Sequence, residues 1–228
     1  MPNSKPNKKF WDKVAPLYAP LVERRSGPYP QLCRELRNWL ERDIDVLELA
    51  CGTGQLTFAL AGCVRSWEAT DFSGAMIEKA RRRSPESRAS FSVQDATSLP
   101  YREASFGAVV VANALHVMPA PELALHEAHR VLKPGGFLLA PTFVHDRIVS
   151  PAKLRLMEAI GFRTFHEWTS EELASFVQNC GFHVISANLV EGGPVPECVL
   201  IGMKPWTPGT STTPGCTIPL PMLRSNAS

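Results

Sequence analysis

The chain alternates between short apolar runs and longer amphipathic runs in which apolar residues recur every three or four positions. The short runs, rich in β-branched side chains, predict buried strands, and the amphipathic runs predict helices. The predicted strands cover residues 44–49, 67–70, 89–93, 106–113, 137–143, 182–190 and 197–203. The predicted helices cover residues 9–23, 29–41, 55–61, 73–83, 121–131, 151–160 and 170–179. This alternation predicts an α/β fold with a doubly wound, mostly parallel sheet, and the final strand pair predicts one antiparallel strand.

A turn with two glycines, Gly52 and Gly54, separates the first predicted strand from the helix at 55–61. Such a turn places backbone N–H groups at the N-terminus of a helix, beside a gap that a side chain would otherwise fill. It predicts a site where a nucleoside-bearing ligand lies against bare backbone. Glycine turns also occur where a chain simply reverses, so this stretch alone leaves both interpretations open.

Polar residues stand at or near the ends of the first four predicted strands, namely Glu48, Asp71, Asp95 and Asn113. Ligands bind outside the carboxyl ends of the strands in such a sheet, where these side chains converge. An acid about 20 residues past the glycine turn suits both hydroxyls of a ribose, which is the role expected of Asp71. Asp95 is placed to accept a hydrogen bond from the exocyclic amine of an adenine. Each of these residues, taken alone, is also compatible with a helix cap or a solvated loop.

Four short motifs follow one another along the chain. They read Val-Leu-Glu-Leu-Ala-Cys-Gly-Thr-Gly at 46–54, Ala-Thr-Asp-Phe-Ser at 69–73, Gln-Asp-Ala at 94–96 and Leu-Lys-Pro-Gly-Gly at 132–136. Together they resemble the ordered motifs of class I S-adenosylmethionine-dependent methyltransferases, over roughly residues 14–204. The opening Phe-Trp-Asp-Lys-Val-Ala-Pro-Leu-Tyr at 10–18 is similar to the start of the small-molecule group that includes the ubiquinone and menaquinone methyltransferases. Ala19 stands where the quinone enzymes usually carry an acid, and Ala50 stands where the first motif usually has glycine.

The resemblance implies a Rossmann-like sheet of seven strands with the last strand inserted antiparallel, and S-adenosyl-L-methionine as the cofactor. It places Gly52 and Gly54 beside the methionine moiety, Asp71 at the ribose, and Asp95 and Ala96 at the adenine. The full set of expected cofactor contacts is Tyr18, Glu48, Ala50, Gly52, Thr53, Gly54, Asp71, Phe72, Met76, Asp95, Ala96 and Asn113.

Methyl transfer from a sulfonium is an in-line displacement on carbon, and it needs a base only if the acceptor must first lose a proton. His116 follows the fourth predicted strand by three residues and is predicted to be the base or an orienting residue; packing inside the fold is an equally open interpretation. Tyr18, which the resemblance expects to close over the methyl-donor end, is a second catalytic candidate, and His145 is a less favoured one. An apolar acceptor pocket is predicted from Tyr18, Trp11, Phe143, Phe165 and Trp168, with core packing as the alternative for each.

Features of other classes are missing from the sequence. Amino-directed DNA methyltransferases usually carry an Asn/Asp-Pro-Pro-aromatic tetrad, whereas this site reads Asn113-Ala114-Leu115-His116, and the Pro-Cys pair of C5-cytosine enzymes does not occur. A net charge of +2 also disfavours a nucleic-acid partner. The nicotinamide fingerprint fails at Thr57, where its third glycine belongs. Protein or nucleic-acid methylation stays the alternative among enzymes, and a catalytically idle cofactor-binding or partner subunit is the alternative outside them.

The cysteines form no C-x-x-C pair and have no histidine at metal-ligand spacing, so no metal site is expected. Free thiols and the lack of a signal peptide fit the cytoplasm. The longest apolar run, 106–120, is shorter than the ~20 residues that span a bilayer. Residues 1–43 are predicted to form a helical lid, 44–204 the methyltransferase domain and 205–228 a flexible Pro/Thr-rich tail. A small-molecule methyl acceptor is the expected partner, and the oligomeric state stays open.

Overall fold

The computed structural model describes residues 29–83, 88–146, 164–190 and 196–206. The helices in these ranges are α1 (Tyr29–Arg37), α2 (Gln55–Leu60), α3 (Gly74–Arg83), α4 (Pro121–Val131) and α5 (Ser170–Asn179). The strands are β1 (Asp45–Leu49), β2 (Ser66–Asp71), β3 (Ala89–Val93), β4 (Phe106–Val111), β5 (Leu132–Phe143), β6 (His183–Val190) and β7 (Glu197–Met203). Short 3-10 turns, Ala61–Cys63 and Leu115–Val117, follow α2 and β4. The predicted helices at 9–23 and 151–160 lie outside the described residues.

The strands form one seven-stranded sheet in the order β3-β2-β1-β4-β5-β7-β6. Pairing is parallel from β3 through β5, whereas β7 runs antiparallel to both β5 and β6. The predicted fold class, including the single inserted antiparallel strand, is confirmed. Because the strand order reverses between β1 and β4, a crevice opens at their carboxyl ends, which is where ligands bind in such sheets.

Helices cover both faces of the sheet, and β4 shows how the sequence encodes this. Val109 and Val111 pack in the same core cluster as α4 and α5, whereas Ala108 and Val110 pack in the cluster that holds α1, α2 and α3. All four side chains are fully buried. A strand covered on both sides reads as a continuous apolar run, which is the pattern that predicted β4.

The stretch Leu-Lys-Pro-Gly-Gly was expected to be a turn between α4 and a strand at 137, and this expectation is wrong. The structure begins β5 at Leu132, with a register shift between its pairing with Phe106 and the pairing of the next residues. Gly135 has φ +77°, and a Cβ there would lie 2.5 Å from the Trp206 ring. The N–H of Gly135 donates to the Lys204 carbonyl at 2.9 Å, so pairing with the chain after β7 extends the strand.

Two helix starts follow the polar signals in the sequence. The Ser73 hydroxyl accepts a hydrogen bond from the Met76 N–H at 3.2 Å, which caps α3 as predicted. Thr169 and Glu172 form a reciprocal capping box at the start of α5. Two other boundaries differ from the predicted ones. The structure ends α1 at Arg37 rather than at 41, and β4 at Val111 rather than at 113.

Replacing Thr169 with alanine is expected to lower the free energy of unfolding by about 1 kcal/mol, since the variant leaves the Glu172 N–H without its side-chain acceptor. Urea denaturation followed by circular dichroism measures the change. Ser175→Ala, exposed in the middle of the same helix, is the matched control and should cause no loss. Equal stability of the two variants would contradict the capping role.

Candidate active site

The glycine turn after β1 is built from backbone in the left-handed region. Ala50, Gly52 and Gly54 have φ of 54°, 57° and 81°. The N–H of Cys51 donates to the Thr70 carbonyl at 2.9 Å, which fastens the turn to β2. A Cβ at Gly54 would lie 3.0 Å from the Phe58 ring, so a larger residue there would be both strained and crowded. The turn therefore has a fixed backbone at the carboxyl end of β1, where Gly52 is partly exposed and Gly54 is buried.

The Asp71 carboxylate joins the end of β2 to this turn. Its Oδ2 accepts from the Gly52 N–H and its Oδ1 from the Ser73 N–H, each at 2.8 Å. An ionised carboxylate offers about four acceptor positions. These two backbone donors fix the orientation of the carboxylate, which is the kind of acceptor that ribose hydroxyls need.

Asp95 lies beside Asp71 at the end of β3, because the Gln94 N–H donates to the Asp71 carbonyl at 3.1 Å. Asp95 is exposed, and its Oδ1 accepts from the Thr97 N–H at 2.9 Å and the Thr97 hydroxyl at 2.7 Å. Its Oδ2 is the oxygen that could accept from an adenine amine. Ala96 packs against the core next to it. The structure thus brings the acids after β2 and β3 to one edge.

Glu48 does not lie among the groups at this edge. It is 2% exposed, and its Oε2 accepts from the Thr57 hydroxyl at 2.5 Å and from the Trp67 indole N–H at 2.8 Å. Burial raises the pKa of Glu48 to about 7. Its side chain lies on the face of β1 that packs against α2, beneath the turn, and a direct contact with the cofactor stays a prediction.

Thr53, Met76 and Phe72 were also expected to contact the cofactor. Thr53 is fully buried and Met76 is 2% exposed. The Thr53 carbonyl accepts from the Arg83 guanidinium at 3.0 Å, which ties the turn to α3. The side chains of Thr53 and Met76 therefore belong to the packed interior, whereas the half-buried Phe72 follows Asp71 at the open edge.

Gln55, the first residue of α2, is a functional candidate that the sequence patterns did not single out. Its Oε1 accepts from the Thr53 hydroxyl at 3.0 Å. Its Nε2 is buried and has no hydrogen-bond partner within the described ranges. A buried amide donor without an acceptor suits a ligand carboxylate. The one sequence feature that could have identified Gln55 is its position as a polar residue directly after the Gly-x-Gly turn.

Asn113 stands just past β4 with φ 51°, and its N–H donates to the Pro141 carbonyl at 2.7 Å. Its Nδ2 donates to Glu197 Oε1 at 2.7 Å. Glu197 is the first residue of β7 and is 3% exposed. Glu197 was not predicted from the sequence, and an acid that opens an otherwise apolar strand was the one local signal.

His116 lies in the 3-10 turn after β4 and is 2% exposed. Its ring meets the Phe143 ring edge-on, with 5.6 Å between the centroids. Burial, with a smaller effect from His145 and His166, lowers the pKa of His116 to about 4. The imidazole is therefore neutral at pH 7, and its low pKa makes it a weak base.

An aromatic cluster forms around His116. The His116 carbonyl accepts from the Phe165 N–H at 2.8 Å, and the Trp168 carbonyl accepts from the His145 N–H at 2.8 Å. The His166 ring stacks on Trp168 with 4.8 Å between the centroids. Of the predicted acceptor-pocket residues, Phe143 thus contacts the His116 ring, whereas Phe165 reaches His116 through its backbone and has a 49% exposed side chain. Tyr18 and Trp11 lie outside the described residues.

Comparison with known proteins agrees with this arrangement. Residues 46–136 match the family described as a methyltransferase domain. The demethylmenaquinone methyltransferase of Clavibacter sepedonicus is 32% identical over 64% of this chain and 69% of that relative. The ubiquinone/menaquinone biosynthesis C-methyltransferase of Methylobacterium nodulans is 28% identical over 71% of this chain and 75% of the relative. A SAM-dependent methyltransferase from Methanosarcina mazei has the same fold, with a TM-score of 0.63 and 22% identity over 76% of this chain and 98% of that one.

The chain belongs to the class I S-adenosylmethionine-dependent methyltransferases. It is an enzyme, and its cofactor is S-adenosylmethionine. The described residues fit that molecule: the left-handed glycine turn leaves Gly52 partly exposed, Asp71 presents an oriented carboxylate beside it, and Gln55 holds a buried donor without a partner in the described part of the chain.

Within the described ranges, no helix is long and apolar enough to cross a membrane. The same residues contain no group of three or more histidines, cysteines or acids that could hold a metal ion.

Proposed function

We propose that this methyltransferase acts on a small aromatic molecule that bears a hydroxyl group. The observation that carries the proposal is the aromatic cluster around His116 and Phe143, at the carboxyl ends of β4 and β5. The relatives described above, at about 30% identity, are named for methylation in quinone biosynthesis, which supports an acceptor of hydroquinone type.

The cofactor supplies an electrophilic methyl group on a sulfonium. We assign Asp71 and Asp95 to the nucleoside and the backbone of Gly52 and Gly54 to the methionine portion. These residues hold the ligand while the aromatic cluster positions the acceptor and excludes water. Holding two reacting atoms about 3–3.5 Å apart can supply ~7–11 kcal/mol of the barrier, so positioning is the main contribution asked of the chain. Tyr18 stays a prediction for the methyl-donor end.

The test is an anaerobic methylation assay with S-adenosylmethionine and 1,4-naphthohydroquinone as the probe acceptor, with product mass as the readout. Methylated naphthohydroquinone is the expected product. Duplex DNA and a mixed peptide pool serve as competing acceptors. Methylation of either of these, with none of the hydroquinone, would contradict a small aromatic acceptor.

Replacing His116 with alanine is expected to lower turnover by about tenfold, because the Phe143 ring loses the edge-on contact that holds it in the acceptor site. Affinity for S-adenosylhomocysteine, measured by calorimetry, should not change. The matched control is His129→Ala on α4, since the His129 ring makes a similar edge-on contact with Phe182. If both variants lose stability alike and keep the same turnover, His116 serves packing alone.

A further inference from the structure

Glu197 and Asn113 form a polar pair at the carboxyl edge of the sheet. Among the residues that the structure describes, one hydrogen bond reaches the Glu197 carboxyl, from Asn113 Nδ2 at 2.7 Å. No ion pair to Glu197 is formed within the described ranges, although the residue is only 3% exposed. Burying a carboxyl with so few partners is costly for folding, and such groups cluster at functional sites.

Asn113 adds an acceptor without a donor to the pair. Its Oδ1 is buried and has no hydrogen-bond partner in the described part of the chain. Its backbone is held at φ 51°, a conformation that non-glycine residues rarely adopt. A buried amide oxygen without a donor, beside a buried acid that accepts one hydrogen bond, indicates that a ligand with donor groups completes this site.

The pair borders the aromatic cluster. Phe143 on β5 stands directly opposite Glu197 on β7, and in an antiparallel pair such residues share a face of the sheet. The Phe143 ring in turn contacts His116. Only the antiparallel direction of β7 brings its first residue, rather than its last, to the edge where the parallel strands end. Glu197 therefore lies beside the proposed acceptor pocket.

We propose that Glu197 accepts the hydrogen bond, and then the proton, of a hydroxyl group on the methyl acceptor, while Asn113 holds the carboxylate in place. This rests on the proposed function, since it requires an acceptor with a hydroxyl. In the transfer, the O–H bond breaks and its electron pair stays on the acceptor oxygen. The acceptor would form a bond to the methyl carbon as the bond from that carbon to the sulfonium sulfur breaks, and the leaving group would be the neutral thioether S-adenosylhomocysteine. The proton forms a new O–H bond on Glu197, which becomes a neutral acid and returns the proton to water after the product leaves.

The surroundings of Glu197 suit this role better than those of the other buried candidates. Burial raises the pKa of Glu197, the Asn113 hydrogen bond partly opposes this, and Glu35 on α1 raises it further. Among the described residues, Cys33 on α1 and Cys198, the next residue of β7, also interact electrostatically with Glu197. A carboxyl whose pKa moves toward neutrality is a better proton acceptor at physiological pH than one with its ordinary value.

The two competing buried groups are less suited. The pKa of His116 is lowered to about 4, which weakens it as a base. Glu48 is enclosed by two internal donors, the Thr57 hydroxyl and the Trp67 indole, and lies under α2 rather than beside the aromatic cluster.

The first test measures binding to the full chain saturated with S-adenosylhomocysteine. The probes are 1,4-naphthohydroquinone, kept reduced, and 1,4-dimethoxynaphthalene, which keeps the ring system and has no hydroxyl donor. The wild type is expected to bind the hydroquinone at least about tenfold more tightly, as a hydrogen bond to a charged group predicts. Glu197→Gln should abolish this preference and leave the affinities for dimethoxynaphthalene and S-adenosylhomocysteine unchanged.

Two further variants make the binding result specific to Glu197. Glu35→Gln removes a neighbouring carboxylate on α1 and should keep the preference for the hydroquinone. Glu197→Asp keeps the negative charge on a shorter side chain and should keep part of the preference for the hydroquinone. Thermal unfolding of each variant shows whether the fold is intact.

The second test is the pH profile of methyl transfer to the hydroquinone. The wild-type rate should rise with pH as Glu197 ionises and then level off. Glu197→Gln should be slower by about 100-fold and lack that rise, as expected when a general base is removed.

The outcomes separate this inference from the proposed function. Retention of the hydroxyl preference in Glu197→Gln overturns the inference, and so does a wild type that shows no preference or binds neither probe. A wild type whose preference depends on Glu197 but which forms no methylated product supports the inference and contradicts the hydroquinone as substrate.

Discussion

Replacing Asp71 with alanine is expected to weaken the binding of S-adenosylhomocysteine by about 100-fold. A hydrogen bond to a charged group contributes about 1.5–3 kcal/mol, and 100-fold in affinity corresponds to about 2.7 kcal/mol. The loss falls at the upper end of that range because Asp71 also holds the glycine turn through the Gly52 N–H. The variant therefore loses both the ribose acceptor and the fixed backbone beside it.

Calorimetric titration measures the change, and Asp45→Ala is the matched control. Asp45 begins β1 at the opposite edge of the sheet, where it pairs with Arg65 and the ion pair lowers its pKa to about 2. Its removal should leave the affinity unchanged while it perturbs stability. Equal affinities for wild type and Asp71→Ala would remove Asp71 from the cofactor site.

Replacing Glu48 with glutamine is expected to remove a loss of stability at high pH. Between pH 4.5 and pH 8, the free energy of unfolding of the wild type should fall by about 3 kcal/mol relative to that of Glu48→Gln. Burial raises the pKa of Glu48 from 4.5 to about 7, so the folded state favours the protonated acid. Its contribution to stability is fully present below pH 4.5 and is lost as the pH rises to about 7. One pKa unit corresponds to about 1.36 kcal/mol, which sets the size of the effect.

The measurement compares urea denaturation of wild type and Glu48→Gln at both pH values. The difference between the two proteins cancels the titration of groups that they share, including Glu197, whose pKa is also raised, and Asp45, whose pKa is lowered. Glutamine retains an acceptor oxygen for Thr57 and Trp67. Glu78→Gln, exposed on α3, controls for the loss of a carboxylate as such. If the free energy of unfolding changes by the same amount between the two pH values in wild type and Glu48→Gln, the result would contradict a buried Glu48 that binds a proton.

Local pattern accounts for most of the fold. The bounds predicted for β3, α4, α5 and β7 agree with the structure, because each is delimited by changes in periodicity or by capping residues within the element itself. The start of β5 was missed for a different reason. Lys133–Gly136 reads locally as a turn, and it becomes strand only because Gly135 and Gly136 bond to Lys204, a residue far along the chain.

The candidate site shows the same division between local and distant information. Asp71 and Asp95 could be placed from the sequence, because residues that follow parallel strands converge at one edge. The face of β1 on which the Glu48 side chain lies could not be predicted from the sequence. Both faces of β1 are buried, so the strand has no alternation of apolar and polar residues that would distinguish them. Glu197 is joined to Asn113 across 84 residues, a pairing that periodicity does not reveal. The lid at 1–43, Tyr18 and the tail from 205 stay predictions.

The contact between Gly135 and Trp206 has a practical consequence. Trp206 follows the last strand and lies at the start of β5, which is the end of the sheet opposite to Asp71, Asp95 and Glu197. A surface tether attached at position 206 would therefore hold the enzyme by the end opposite to these residues. Immobilised in this way, the protein would keep its ligand-binding edge turned toward the solution, which suits surface-based binding measurements.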